Sequence, residues 1–267
     1  MQKVLITGAA GVIGSVLREG FHGVYGLVRC SDIREQAPAR KGEDLHQGDI
    51  IDMAAMEQAM AGMDAVVHLG GTPREAEWES IHRNNIVGCY TAYEAARRQG
   101  VKRFVFASSN HANGYYRRTR RVSVDDPVRP DSRYGVSKVF GEALGRMYAD
   151  KYGMEVVCLR IGSFRKEPTD RRMLHTWIGH ADTVRLARAA LEAPKVHFEV
   201  IYGVGANNEV WWDTRPGERL GFQPEESAEA FADALANAGS GAGPIGDIFQ
   251  GGYVCDSEFV GSPDRID

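Results

Sequence analysis

A chain of 267 residues with 43% hydrophobic and 25% charged side chains can bury one large core, with room for a small second lobe. Its net charge of −4 gives no electrostatic case for nucleic acid, and no apolar run is long enough to span a bilayer. Cys30, Cys89, Cys158 and Cys255 are scattered without metal or disulfide spacing, so no metal site is expected, a reducing cytoplasm fits, and no secretory signal is expected ahead of the first strand.

Residues 4–7 form a short apolar, β-branched run, read as a buried strand. Gly8-Ala9-Ala10-Gly11-Val12-Ile13-Gly14 follows at once, and 15–19 continue as a helix. Strand, glycine-rich turn and helix let a backbone approach a pyrophosphate, with free N–H groups at the helix start. Gly8, Gly11, Val12, Ile13 and Gly14 are therefore cofactor candidates. A second strand is expected over 24–29, with Asp32 just beyond its end. An acid there accepts hydrogen bonds from adenosine ribose hydroxyls and repels a 2′-phosphate, which favours NAD over NADP. Arg34 is close enough to meet a phosphate and tempers that preference.

A third strand and its exit loop cover 44–50, ahead of a helix over 52–61 that turns Met53, Met56 and Met60 toward the core. The fourth strand, 65–71, runs into Gly70 and Gly71, and a long helix is expected over 78–98. The fifth strand, 102–107, leads into Ser108-Ser109-Asn110-His111. Arg117, Arg118, Arg120 and Arg121 read as a solvated loop, with attraction of an anionic substrate as the functional alternative.

Asp131-Ser132 starts a helix that carries Tyr134 and Lys138 one turn apart on one face. A phenol with a pKa of about 10 is a poor base at neutral pH. A neighbouring ammonium lowers that value, so the pair suits proton abstraction from a hydroxyl. The sixth strand covers 154–160, a helix 181–191 and a strand 196–202. Trp211 and Trp212 read as packing residues and 237–243 as a glycine-rich loop. The remainder suits an oligomer contact or a lid. Alternating strands and helices imply an α/β fold with a doubly wound parallel sheet. Gly8, Asp32, Asp49, Gly70, Ser109 and Ile161 all follow predicted strands, where such sheets bind ligands.

Together these residues resemble the short-chain dehydrogenase/reductase superfamily in its extended branch, over roughly the first 165 residues. The resemblance implies one Rossmann-type NAD-binding domain over 1–267, with about 162–267 contributing a small substrate lobe. It puts Gly8, Gly11 and Gly14 on the cofactor fingerprint and Asp49-Ile50 at the position that contacts adenine. Leu69, Gly70, Gly71, Asn85 of an Asn-x-x-Gly motif, and Ile161 join the cofactor set. Ser109, Tyr134 and Lys138 fall on the catalytic triad. Ser108 competes with Ser109, and the separation of 25 residues from Tyr134 favours Ser109. The implied roles are Tyr134 as base, Ser109 as hydrogen-bond partner of the reacting oxygen, and Lys138 as holder of the ribose that also lowers the tyrosine pKa. A homo-oligomer is implied too.

Ser-Ser-Asn-His, Arg160-Ile161-Gly162-Ser163, Arg172-Met173-Leu174 and the short C-terminal part together resemble the uronate dehydrogenase family. This implies oxidation of a free sugar acid, D-glucuronate or D-galacturonate, at C1 to the aldarolactone with NAD. Arg172 is expected on the carboxylate, with Arg171 as the neighbouring alternative, because a guanidinium fork binds both oxygens. Asn110 and His111 suit sugar hydroxyls, Ser163 lies near substrate or nicotinamide, and Thr72 is a weaker sugar contact. An NAD-dependent sugar epimerase or dehydratase is the alternative, and a non-catalytic NAD sensor a more distant one.

Overall fold

The computed structural model describes residues 2–266. Six strands share its main sheet with a seventh from the C-terminal part: β1 (Lys3–Thr7), β2 (Leu27–Asp32), β3 (Glu43–Gln47), β4 (Ala65–His68), β5 (Arg103–Ser109) and β6 (Glu155–Ile161). A separate parallel ribbon of β7 (Ser163–Phe164) and β8 (Trp177–Ile178) precedes β9 (Phe198–Gly203), which closes the main sheet. The order is β3-β2-β1-β4-β5-β6-β9, parallel throughout.

Period-2 alternation assigns each strand side chain to a layer. Val4 and Ile6 of β1 face one core and Leu5 the other; Val105 and Phe104 of β5 divide in the same way. Helices α1 (Val12–Phe21) and α7 (His180–Glu192) cover the first face, through Leu17, Phe21, Leu186 and Ala190. The other face takes α2 (Met53–Met60), α4 (Gly88–Arg98) and α5 (Arg133–Tyr152), through Met56, Met60, Tyr93 and Tyr148. The short α3 (Trp78–Ile81) leads into α4, and α6 (Met173–Thr176) precedes β8. Each fully buried large side chain stabilises the fold by about 1.5–3 kcal/mol. Because the chain winds outward from β1 to β3 and then returns to β4, a crevice opens at the carboxyl ends of β1 and β4.

Several boundaries depart from the expectations: β4 stops at His68 instead of running through residue 71, and Ser109 and Ile161 are the last residues of β5 and β6, not residues beyond them. The second strand begins at Leu27, not at residue 24. Tyr25 instead packs edge-on against Phe21 at 5.1 Å and donates to Glu192 at 3.0 Å, so the apolar pair Val24-Tyr25 closes α1. Asp32 is consequently the last residue of β2, not a residue beyond it. The long helix over 78–98 is not α-helical throughout, since His82–Val87 is wound as a π-helix. Asn85 sits in that wide turn and is locked there. Its Oδ1 accepts from Thr72 N (2.7 Å), and its Nδ2 donates to Thr72 O (3.1 Å) and Ser137 Oγ (3.0 Å).

Within 162–267, α7 and β9 complete the sheet, while the later segments pack on the loop that follows β5. Val122 bridges to Trp212 and Arg117 to Phe249. Trp212 is fully buried against Tyr202, ring centroids 5.0 Å apart. The arginine run braces this region: Arg117 donates to Pro263 and Ile266 carbonyls, Arg118 to Gly246 and Phe249 carbonyls, and Arg120 pairs with Asp126.

Candidate active site

The turn after β1 is shaped for close backbone approach. Gly8 has φ +70°, and a Cβ there would fall 2.9 Å from Gly70 N. A Cβ on Gly14 would meet Gly8 O at 2.3 Å, so glycine lets α1 pack directly on the turn. At Gly11 a Cβ would meet only Gly8 O at 3.0 Å and, at 3.9 Å, the Arg34 guanidinium. The far side of that turn is open, and the N–H groups of Val12, Ile13 and Gly14 begin α1, where an α-helix leaves donors without intrahelical partners. The cradle fits a dinucleotide pyrophosphate.

Asp32 is buried at the end of β2. Its Oδ2 accepts from Ala10 N (2.9 Å) and its Oδ1 from Arg34 N (2.9 Å) and Nε (3.3 Å), which ties the glycine turn to β2. Asp49 accepts from Ile51 N and pairs with Arg83 at 2.6 Å; that guanidinium and two backbone N–H groups hold its carboxyl below the usual range against the opposing effect of burial, which is the largest single contribution. The Ile50 side chain fills the space beside Gly70 and Gly88. Leu69 N donates to Thr7 O, and Gly71, at φ +146°, abuts the Asn85 amide. The Thr72 hydroxyl is already engaged by Ser80 and Asn84.

Ser109 and Tyr134 come together. The Ser109 side chain is near enough to the Tyr134 phenol to oppose part of its upward pKa shift, and Ser109 Oγ accepts from His111 N at 3.2 Å. Ser108 is committed elsewhere, donating to Glu142 Oε1 at 2.6 Å in the buried layer. Ser132 caps α5 by accepting from Gly135 N, and Glu75 holds the Tyr134 backbone N–H at 2.7 Å. Burial pushes the Tyr134 phenol up to about 12, partly offset by Ser109. Lys138 sits beside the Tyr134 ring on the same face of α5. Its Nζ donates to the Ala107 carbonyl at 2.8 Å and sits 5.2 Å from the Tyr134 ring centroid. Burial lowers its pKa to about 8.

A second cluster lies beside this pair. Arg172 Nε donates to the Gln250 carbonyl (2.8 Å) and Nη1 to Ser163 Oγ (3.0 Å). Asn110, with its amide oriented to satisfy both ends, accepts from Arg172 Nη2 and donates to the Ile161 carbonyl, each at 3.1 Å. Three of the five guanidinium donors are thus used, leaving one N–H on each terminal nitrogen. These partners are a carbonyl, a hydroxyl and an amide oxygen, all neutral, and burial lowers the Arg172 pKa. Arg171 is exposed and outside the cluster. His111 Nδ1 is 2.7 Å from Asp131 Oδ2. A carboxylate only accepts, so Nδ1 donates, and in the neutral imidazole Nε2 is then the acceptor.

Asp131, Glu75 and Gln250 were not anticipated as parts of this site. Asp131 was legible only as a helix start, and neither of the others stands in a local motif.

Residues 4–197 match the NAD dependent epimerase/dehydratase family. A uronate dehydrogenase of Pseudomonas putida is 43% identical, over 94% of each chain. The structure of a glucuronic acid dehydrogenase from Chromohalobacter salexigens superposes with a TM-score of 0.92 at 40% identity, over 99% of each chain. That of a uronate dehydrogenase from Agrobacterium tumefaciens, a tyrosine-to-alanine mutant complexed with NAD, gives 0.91 at 43% identity, over 96% of this chain and 97% of its own. With its glycine turn, its serine–tyrosine pair and these full-length relatives, the chain belongs to the NAD-dependent epimerase/dehydratase family.

Proposed function

We propose that the protein oxidises a free hexuronate, D-glucuronate or D-galacturonate, at C1 to the aldarolactone, with NAD as acceptor. The observation that carries this reading is the half-buried Arg172, held by three neutral acceptors with one free N–H on each terminal nitrogen. That fork matches the two oxygens of a carboxylate, and two charge-assisted bonds there outweigh contacts to a neutral sugar. The full-length uronate dehydrogenase relatives support the same substrate class.

Gly8, Gly11, Val12, Ile13 and Gly14 hold the pyrophosphate, and Asp32 the adenosine ribose. Asp49, Ile50, Leu69, Gly70, Gly71, Asn85 and Ile161 line the remaining length. NAD, when bound, supplies the hydride acceptor. Tyr134 takes the proton from the C1 hydroxyl while Ser109 holds the same oxygen, and loss of the C1 hydride turns the cyclic hemiacetal into a lactone. The Lys138 ammonium supports the negative charge that gathers on the phenol side. Asn110, His111 Nε2 and Ser163 orient the ring, and Thr72, whose hydroxyl is shared with Ser80 and Asn84, is the weaker contact. The reading extends to a cytoplasmic homo-oligomer; the four buried, unpaired cysteines suit a reducing compartment, and the superfamily resemblance supports the assembly.

Following NADH absorbance with glucuronate, galacturonate, glucose and galactose tests the proposal. Rapid NADH formation is expected with the two acids and little with the neutral sugars. Equal rates with all four would remove Arg172 as the selective element, and no NADH from either acid would overturn the reading.

A further inference from the structure

Arg172 reaches its acceptors from three distant parts of the chain: the end of β5, the β6–β7 junction, and a turn close to the C-terminal end. We infer that this last segment, Gln250-Gly251-Gly252, is a positioning strap that aims the Arg172 fork and so sets the preference for sugar acids. The inference deepens the hexuronate reading and rests on it.

The Gln250 carbonyl takes Nε, the donor whose direction fixes the plane of the guanidinium. Gly252 presses on the same side chain. A Cβ there would lie 2.8 Å from both Arg172 Cδ and Nε. Its backbone, at φ +67° and ψ −139°, is in a region that only glycine enters readily. Two independent reasons therefore require glycine at this point.

The strap is itself fixed. Gln250 is 1% exposed, and its side chain is fully engaged. Oε1 accepts from Trp212 Nε1 (2.9 Å), and Nε2 donates to the carbonyls of Arg117 (3.1 Å) and Arg120 (2.8 Å). Its backbone N–H bonds to Tyr116 O, and that of Gly251 to Gly114 O, each at 2.9 Å. A Cβ on Gly251 would run into Asp131 Oδ2, the oxygen that holds His111. One turn thus bears on both the carboxylate fork and the hydroxyl-facing imidazole.

Gly252→Ala tests this. The KM for glucuronate is expected to rise about tenfold or more, as for a misplaced hydrogen bond to a charged group. The kcat, the KM for NAD and any residual turnover of glucose should stay within about threefold. Gly239→Ala is the control, since a Cβ there meets nothing closer than 3.9 Å. Should Gly252→Ala fail to fold, Trp212→Phe removes the Nε1 donor to Gln250 together with part of the buried ring and adds no atoms; a smaller but equally selective rise is expected. Unchanged glucuronate KM in these variants, or a parallel loss of NAD affinity and kcat, would overturn the strap while leaving hexuronate oxidation intact. Absence of wild-type activity on both acids would overturn both.

Discussion

Tyr134→Phe is expected to lower kcat on glucuronate by about 10²–10⁴-fold while the NAD affinity stays within about twofold. The substitution removes one oxygen from a position that the rest of the chain has already fixed. Glu75 grips the backbone N–H of residue 134, not its side chain, and Ser132 caps the helix two residues earlier. The ring edge still packs on His111, with centroids 5.9 Å apart. Fold and cofactor cradle therefore survive, and only the proton acceptor is lost. Stopped-flow NADH formation and NAD titration by protein fluorescence measure the two quantities separately. Substantial turnover in the variant would strip Tyr134 of its role. The pH profile of the wild type carries the same argument. With the phenol pushed up to about 12, its deprotonated fraction grows tenfold per pH unit through the neutral range. Oxidation should therefore climb with pH. The Lys138 ammonium is lost as pH rises through about 8, so its support for the phenolate fades and the climb should flatten there. A rate that falls between pH 6 and pH 8 would contradict this assignment.

That lysine also shows where sequence reasoning stops. Helical spacing places Tyr134 and Lys138 on one face, and the structure keeps them there. Spacing carries no information about burial, which dominates both pKa shifts and turns Nζ toward Ala107. The parallel sheet was legible because a strand buried on both faces must be a short apolar run, and a nucleotide turn must have glycines where a Cβ would collide. The start of β2 was not, because Val24-Tyr25 has the composition of a strand but is claimed by Phe21 and Glu192. The π-turn at His82–Val87 leaves no mark in composition; it is fixed by Asn85 reaching Thr72 and Ser137 across the fold. The last hundred residues were opaque for a related reason. They are held by side-chain bonds to distant carbonyls, as in Gln250 with Arg117 and Arg120, and such pairs have no periodicity to read.

Behind the serine–tyrosine pair, the structure stakes much of its stability on one buried carboxylate. Glu142 Oε1 accepts from Ser108 Oγ (2.6 Å) and Arg160 Nε (2.9 Å), and Oε2 from Arg160 Nη2 (2.8 Å). Arg160 is 2% exposed and continues to the Tyr202 hydroxyl, which accepts from Asn113. Glu142→Gln keeps the shape but leaves this guanidinium buried without its anion, which costs about 3–5 kcal/mol. For a chain of this size that lowers Tm by on the order of 10 °C. The half-exposed Arg146–Asp150 pair, at 3.8 Å, sets the scale for comparison. Arg146→Gln should cost less than about 1 kcal/mol, because solvent screens that pair. Calorimetry on the two variants decides the matter, and equal shifts would mean that the buried pair is as dispensable as the exposed one. A double variant, Glu142→Leu with Arg160→Met, separates charge from packing. Replacing a whole buried pair with apolar groups is often neutral, so it should recover much of the lost Tm. It should not recover full kcat, because Ser108 loses its acceptor and the adjoining Ser109 loses a fixed neighbour at the end of β5.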